Sequence, residues 1–163
     1  MALQEDPAEQ SHLRLFYRGW RPTLLGSCSN RLWAWVSGLG LLPDYLVTLL
    51  VTERQSHRLR AHVLVAATYQ GQRYLVSMLG EGSNWVQDVR ATDGAALVKR
   101  GRRHRVMLIE IPPGQRAPIL KAWCQIATSG RRHLPVAYNS PVASFEAIAA
   151  DYPVFRIDPN ALP

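Results

Sequence analysis

Cysteine is scarce in this 163-residue sequence, and long apolar runs are missing. Only Cys28 and Cys124 occur, and neither belongs to a CxxC motif. The chain does not start with the basic-then-apolar pattern of a signal peptide. No apolar run reaches the roughly 20 residues of a spanning helix, because Pro43 and Asp44 interrupt the best one. These absences predict a reduced, cytoplasmic protein without a transmembrane segment.

The motifs that announce common enzyme chemistries are also missing. No GxSxG, P-loop or GxGxxG occurs, which argues against the usual hydrolase, NTPase and Rossmann classes. His57 and His62 lack a third ligand at metal-binding spacing, and the remaining histidines are scattered: His12, His104 and His133. We therefore expect no metal site, and no catalytic triad is visible.

Acidic side chains are outnumbered by basic ones, 12 to 19, which gives a net charge of +7. Such a balance favours anionic partners: phosphates, polycarboxylates, nucleic acid or an acidic membrane surface. The densest basic stretch is KRGRRHR, residues 99–105. No aromatic side chains are interleaved there for base stacking, so a solvated hairpin tip is the favoured interpretation and we expect no nucleic-acid partner.

The length and the 47% apolar content fit one domain. Residues 1–20 are predicted to be a flexible tail and residues 21–163 a single domain that opens with an amphipathic helix. Ser27 or Ser29 would cap that helix, whose apolar residues recur at helical spacing through Leu39.

The rest of the chain has the pattern of an antiparallel α+β barrel. Residues 45–52 read as a strand, and two predicted hairpins pair residues 61–69 with 73–78 and 95–99 with 103–111. Asn84 and Gln87 resemble a capping box for a short helix that Gly94 stops. Further helices are expected to begin at Pro118 and after Pro141, and residues 153–158 form a final strand. Helices do not follow every strand, which argues against a doubly wound sheet.

Two loops could bind a ligand. The arginine loop, residues 53–60, lies between two strands and offers guanidinium groups, a hydroxyl and backbone N–H groups to an anion, although Glu53 offsets part of its charge. A solvated turn is an equally good interpretation of it. The glycine loop, residues 77–83, leads from a strand into the helix at Asn84, where Trp85 could cover a ring or simply fill the core.

From about Arg21 to Ile157 the sequence resembles the deazaflavin-dependent nitroreductase and quinone-reductase family. The stretch that carries most of the likeness is RYLVSMLGEGSNWVQDVRATDGAALVKRGRRHRV, residues 73–106. RPTLLG and NRLWAW near the start and FEAIAADYPVFRI near the end match the same family.

The resemblance implies a split β-barrel of the FMN-binding-protein type with flanking helices. It also implies that reduced deazaflavin, coenzyme F-420, or alternatively FMN, passes a hydride to a quinone-like or nitroaromatic acceptor. The arginine loop would grip the phosphate and acidic tail of the coenzyme, and the glycine loop would line its ring. The cofactor-binding residues so implied are Arg54, Gln55, Ser56, Arg60, His62, Ser77, Met78, Leu79, Gly80, Trp85 and Asp88.

The arginine loop departs from the family's pattern. Glu53 and His57 replace glycines, and Gln55 replaces a basic residue, which lowers the positive charge and the backbone freedom of the loop. This leaves open a non-catalytic barrel that binds a flavin, haem or lipid. Residues 16–42, with three tryptophans and three arginines and with Arg14 just before them, are expected to rest on a membrane surface or to cover the acceptor pocket. A monomer or homodimer is expected.

Overall fold

The computed structural model describes residues 17–18 and 21–22, for their backbone, and residues 44–160 with their side chains. Strands β1 (Tyr17–Arg18) and β2 (Arg21–Pro22) form a short antiparallel pair. The predicted amphipathic helix lies outside the described residues. So do most of the predicted tail and of the segment expected to touch a membrane.

Six antiparallel strands close into a barrel in the order β3-β4-β5-β8-β7-β6. Their bounds are β3 Leu46–Thr52, β4 Leu59–Tyr69, β5 Gln72–Val76, β6 Ala95–Arg100, β7 Arg102–Glu110 and β8 Val154–Asp158. Every neighbouring pair is antiparallel. The predicted α+β barrel with flanking helices is therefore confirmed.

The tight turns between paired strands follow from residues that adopt left-handed backbone angles. Gln70 and Gly71 have φ values of 48° and 74° and form the two-residue connection from β4 to β5. Strand β4 begins earlier than expected, at Leu59, because Leu59 and Arg60 pair with Thr52 and Val51 of β3. The C-terminal end of the arginine loop is thus part of the barrel.

The helices are α1 Asn84–Ala91, α2 Pro113–Ile126 and α3 Val142–Glu146, with a 3-10 helix at Gly130–His133. The expected capping box at Asn84 is wrong, since Ser83 is the N-cap and Gln87 donates to the carbonyl of Glu81. Helix α2 does not start at Pro118, which lies inside it, because Pro113 already fills a favoured first-turn position. No helix within residues 44–160 is long and apolar enough to cross a lipid bilayer.

Apolar side chains form two cores, one on each face of the sheet. The inner core fills the barrel, and α1 closes it by inserting Trp85, Val86 and Val89. The outer core lies between the barrel and α2, whose predicted stripe of Ile119, Leu120 and Trp123 is buried. Helix α2 thus covers one outer face of the barrel, and a cavity forms at the edge of this contact.

A buried arginine fastens the start of α2. Arg116 is 4% exposed, and its guanidinium donates to the carbonyls of Ile111, Ala149 and Ala150 at 2.7, 3.2 and 3.4 Å. It also pairs with Glu110 at 3.0 Å, and Glu110 in turn binds Arg90 at 2.6 Å. The Arg116 guanidinium therefore ties α2 both to the end of β7 and to the segment after α3.

Candidate functional site

A cavity of about 280 Å³ opens between β4, the glycine loop and the end of α2. Its apolar walls include Met78, Leu79, Trp85 and Trp123. The polar groups at its wall include His62 of β4, together with Ser83 and Asn84 at the start of α1. A mostly apolar space with few polar groups is the usual form of a small-molecule site.

Trp123 sets one wall of the cavity. Its indole Nε1 donates to the carbonyl of Val65 at 3.1 Å, which ties α2 to β4. Gly130, which also lines the cavity, packs against the ring, and a Cβ there would lie 2.7 Å from the Trp123 Cη2 and 3.2 Å from the sulfur of Met78. A side chain at position 130 would therefore collide with the indole.

His62 brings an imidazole to the cavity wall. Its Nε2 is enclosed and has no hydrogen-bond partner among residues 44–160. Burial lowers the pKa of His62 below its ordinary value; Asp88 opposes that shift, Arg60 adds to it and Glu53 opposes it. The neutral ring is thus favoured, with one nitrogen left to bind something else.

The glycine loop is shaped by two buried serines. The Ser77 hydroxyl donates to the Gly80 carbonyl at 2.8 Å and shares a hydrogen bond with the Ser83 hydroxyl at 2.6 Å. Gly80 has a φ of 72°, and a Cβ there would lie 3.0 Å from the Asp151 carbonyl oxygen. Ser77 and Gly80 therefore hold the loop in shape, while Met78 and Leu79 face the cavity.

Trp85 fills the core, which is one of the two roles that the sequence left open, and it also reaches the cavity. It is 7% exposed, belongs to the inner core and meets Phe155 edge to face, with ring centroids 5.4 Å apart. It also forms part of the cavity wall. A substitution at Trp85 will therefore change the stability of the barrel as well as the site.

The arginine loop contacts one residue of the cavity wall, Asn84, through its first arginine. Arg54 Nη1 lies 2.8 Å from the carboxylate of Asp88 and 3.4 Å from the carbonyl oxygen of Asn84 at the cavity wall. Arg60 pairs with Glu53 at 2.7 Å, and the Ser56 hydroxyl donates to the same carboxylate. Gln55 is exposed at the tip of the loop.

Of the sequence-predicted site residues, four line the cavity: His62, Met78, Leu79 and Trp85. The others surround it, either in the arginine loop and α1 (Arg54, Gln55, Ser56, Arg60, Asp88) or in the glycine loop (Ser77, Gly80). Sequence reasoning missed Trp123 and Gly130, because a tryptophan in an apolar helical stripe looks the same whether it fills a core or walls a cavity. Residues 100–105 are exposed at a hairpin tip, as expected.

Residues 44–160 contain no group of three or more histidine, cysteine or acidic side chains that could hold a metal ion. Among the same described residues, the imidazole of His62 is the one titratable side chain at the wall of the cavity.

No family model matches the sequence, and no curated protein gives a significant match. Among solved structures, the chain is similar to a protein of unknown function from Agrobacterium tumefaciens, at 10% identity and a TM-score of 0.52, over 76% of this chain and 52% of that one. It also matches an F-420-H2-dependent reductase at 19% identity and a TM-score of 0.44, over 72% of this chain and 96% of that one. An FAD-binding protein from Mesorhizobium loti matches at 16% identity and a TM-score of 0.47, over 79% and 88%. At these identities the matches concern the fold alone.

Proposed function

We propose that the cavity binds the ring of a deazaflavin or a flavin and that the protein is an oxidoreductase with a quinone-like or nitroaromatic acceptor. The observation that carries this proposal is the unpartnered Nε2 of His62, a residue that lines an otherwise mostly apolar cavity. Buried polar atoms nearly always have a partner, so an orphaned one beside a cavity points to a ligand atom. The sequence resemblance supports the same class of ligand.

The size of the cavity supports a ring better than a whole coenzyme. Sites for drug-sized ligands begin at about 300 Å³, and this cavity has about 280 Å³. A flat ring system would fill it between Trp85 and Trp123, while the ligand's side chain would remain at the rim. We assign Arg54, Gln55, Ser56 and Arg60 to that rim because Arg54 contacts Asn84 at the cavity wall.

Such a ring, bound in its reduced form, would supply the hydride for the acceptor, and the accompanying protons would be exchanged with water. The chain contributes position and dryness. The tryptophan and Met78 side chains exclude water, and the neutral His62 offers one nitrogen to orient the ring. The absence of a catalytic triad is consistent with this division of work.

The test replaces a lining residue by a larger one, so that the protein's own side chain occupies the cavity. Leu79→Trp adds an indole where the ring should lie, so fluorescence titration with riboflavin or FMN should show at least a ten-fold loss of affinity. Val142→Trp introduces the same side chain at the start of α3, at a position that is 37% exposed and outside the cavity wall, and it should bind like the parent protein.

Turnover is measured separately, with reduced deazaflavin or reduced FMN and a quinone. The proposal is supported if the parent protein binds the ring and transfers a hydride, and if Leu79→Trp removes the binding. Ring binding without turnover would make the protein a flavin-binding barrel, and equal affinity in both variants would remove the ligand from this cavity.

A further inference from the structure

Two carboxylates of the chain, those of Glu53 and Asp88, already bond to the groups of the arginine loop that a phosphate would need. The Glu53 carboxylate accepts from Arg60 through Oε1, at 2.7 Å, and from the Ser56 hydroxyl through Oε2. The backbone of Glu53 also closes the loop, since its N–H donates to the Arg58 carbonyl and its carbonyl accepts from the His57 N–H, both at 2.9 Å. Glu53 is therefore built into the loop by its backbone as well as its side chain.

The second carboxylate comes from helix α1. Asp88 is 1% exposed, and one of its oxygens accepts from Arg54 twice, at 2.8 Å from Nη1 and 3.2 Å from the backbone N–H. A buried carboxylate that is held by a guanidinium and a backbone amide is expensive to displace. The first arginine of the loop is thus turned towards α1 and engaged there.

All three groups that the loop shares with a phosphate-binding pattern are consequently occupied. Arg54 is bonded to Asp88, while Ser56 and Arg60 are bonded to Glu53. A phosphate that entered the loop would have to replace these carboxylates or stand beside them, and like charges at close range repel. An anionic tail that reached Arg54 or Arg60 would therefore meet the carboxylates already paired with them.

We propose that Glu53 and Asp88 determine the specificity of the site, by filling its anion position so that it selects ring ligands whose side chain carries no phosphate. Riboflavin-like compounds and their deaza counterparts are the chemical class implied. This inference rests on the proposed function, since it narrows the ligand of the same cavity. Each carboxylate acts through the arginine loop and not on the reacting atoms.

Riboflavin and FMN test the inference because they share one ring and differ by one phosphate, so the ratio of their affinities isolates the loop. The parent protein should bind FMN no more tightly than riboflavin. Glu53→Gln keeps the size of the side chain and removes its charge, and it should tighten FMN roughly ten-fold, the value of one charge-assisted contact, while riboflavin stays unchanged.

Arg60 provides a second, independent readout. Arg60→Ala should leave FMN binding by the parent unchanged because Glu53 already occupies that guanidinium. In the Glu53→Gln background the same change should cancel the gain. Glu146→Gln, an equal change of charge at an exposed residue of α3, is the matched control and should alter neither ligand.

The inference is overturned if the parent binds FMN at least ten-fold more tightly than riboflavin and Arg60→Ala removes that preference. It is also overturned if a folded Glu53→Gln protein keeps the parent's affinity ratio. If neither ring compound binds any variant, the proposed function fails. Calorimetry with inorganic pyrophosphate then still tests whether Glu53 keeps an anion out of the arginine loop. Glu53→Gln should then bind pyrophosphate more tightly than the parent does, and an equal affinity would refute the role of Glu53.

Discussion

Arg116→Met should destabilise the protein more than its single charge suggests. The side chain is buried, and three backbone carbonyls and the Glu110 carboxylate accept from its guanidinium. Methionine fills a similar volume and donates nothing, so these acceptors lose a partner where water has little access. Removing one member of a buried charged pair costs about 3 to 5 kcal/mol.

The lower end of that range applies here because Glu110 is 29% exposed and keeps its pair with Arg90 at 2.6 Å. We therefore expect a loss of about 3 kcal/mol in the free energy of unfolding. Arg116→Lys retains the charge but has no planar fork to reach several carbonyls, so it should lose about half as much, roughly 1.5 kcal/mol.

Urea unfolding followed by circular dichroism measures these losses, provided that the slope with denaturant stays constant between variants. Arg103→Met, at the exposed tip of the β6–β7 hairpin, is the control and should fall within about 0.5 kcal/mol of the parent. A loss below about 1 kcal/mol for Arg116→Met would show that the guanidinium does not fasten α2 in this way.

Two further predictions concern stability. Gly94→Ala places a Cβ 2.4 Å from the Leu108 carbonyl oxygen at a φ of 86°, so it should lower the free energy of unfolding by about 2 kcal/mol or more. Gly71→Ala, at a φ of 74° in open space, should lower it by about 1 kcal/mol. Similar losses for the two variants in urea unfolding would refute the role of the close approach at Gly94. Because the folded protein holds the pKa of His62 below its ordinary value of 6.5, the unfolded chain takes up a proton first as pH falls, and stability should drop below pH 6.5. His62→Leu should flatten that drop and His104→Leu, at an exposed site, should not; a drop of equal size in both would assign the effect elsewhere.

The barrel could be predicted because its information is local. Short runs rich in β-branched and apolar residues mark the strands, and the turns at Gln70 with Gly71 and at Gly101 determine which neighbours pair. The start of α2 was misplaced because two prolines, Pro113 and Pro118, both suit a helix start, and local pattern does not choose between them.

The state of the arginine loop could not be predicted in the same way. Its residue types suggest an anion site, but Arg54 is paired with Asp88, which lies 34 positions later in the sequence. The two residues come together only because α1 packs its apolar side chains into the barrel. Likewise, Trp123 joins the cavity because it bonds to Val65, 58 positions earlier. Residue types can be read along the chain, whereas partners across the barrel require the fold.

Gly130 gives the cavity a form of adjustability. It lines the cavity, and a Cβ there would lie 2.7 Å from the Trp123 ring and 3.2 Å from the sulfur of Met78, so any larger residue would displace one of these side chains or enter the cavity. The volume offered to a ligand can therefore change through a position that carries no side chain, without a substitution at His62, Met78 or Leu79. In a lineage that keeps this barrel, position 130 would be a place where substrate range drifts while the side chains that meet the ligand stay constant.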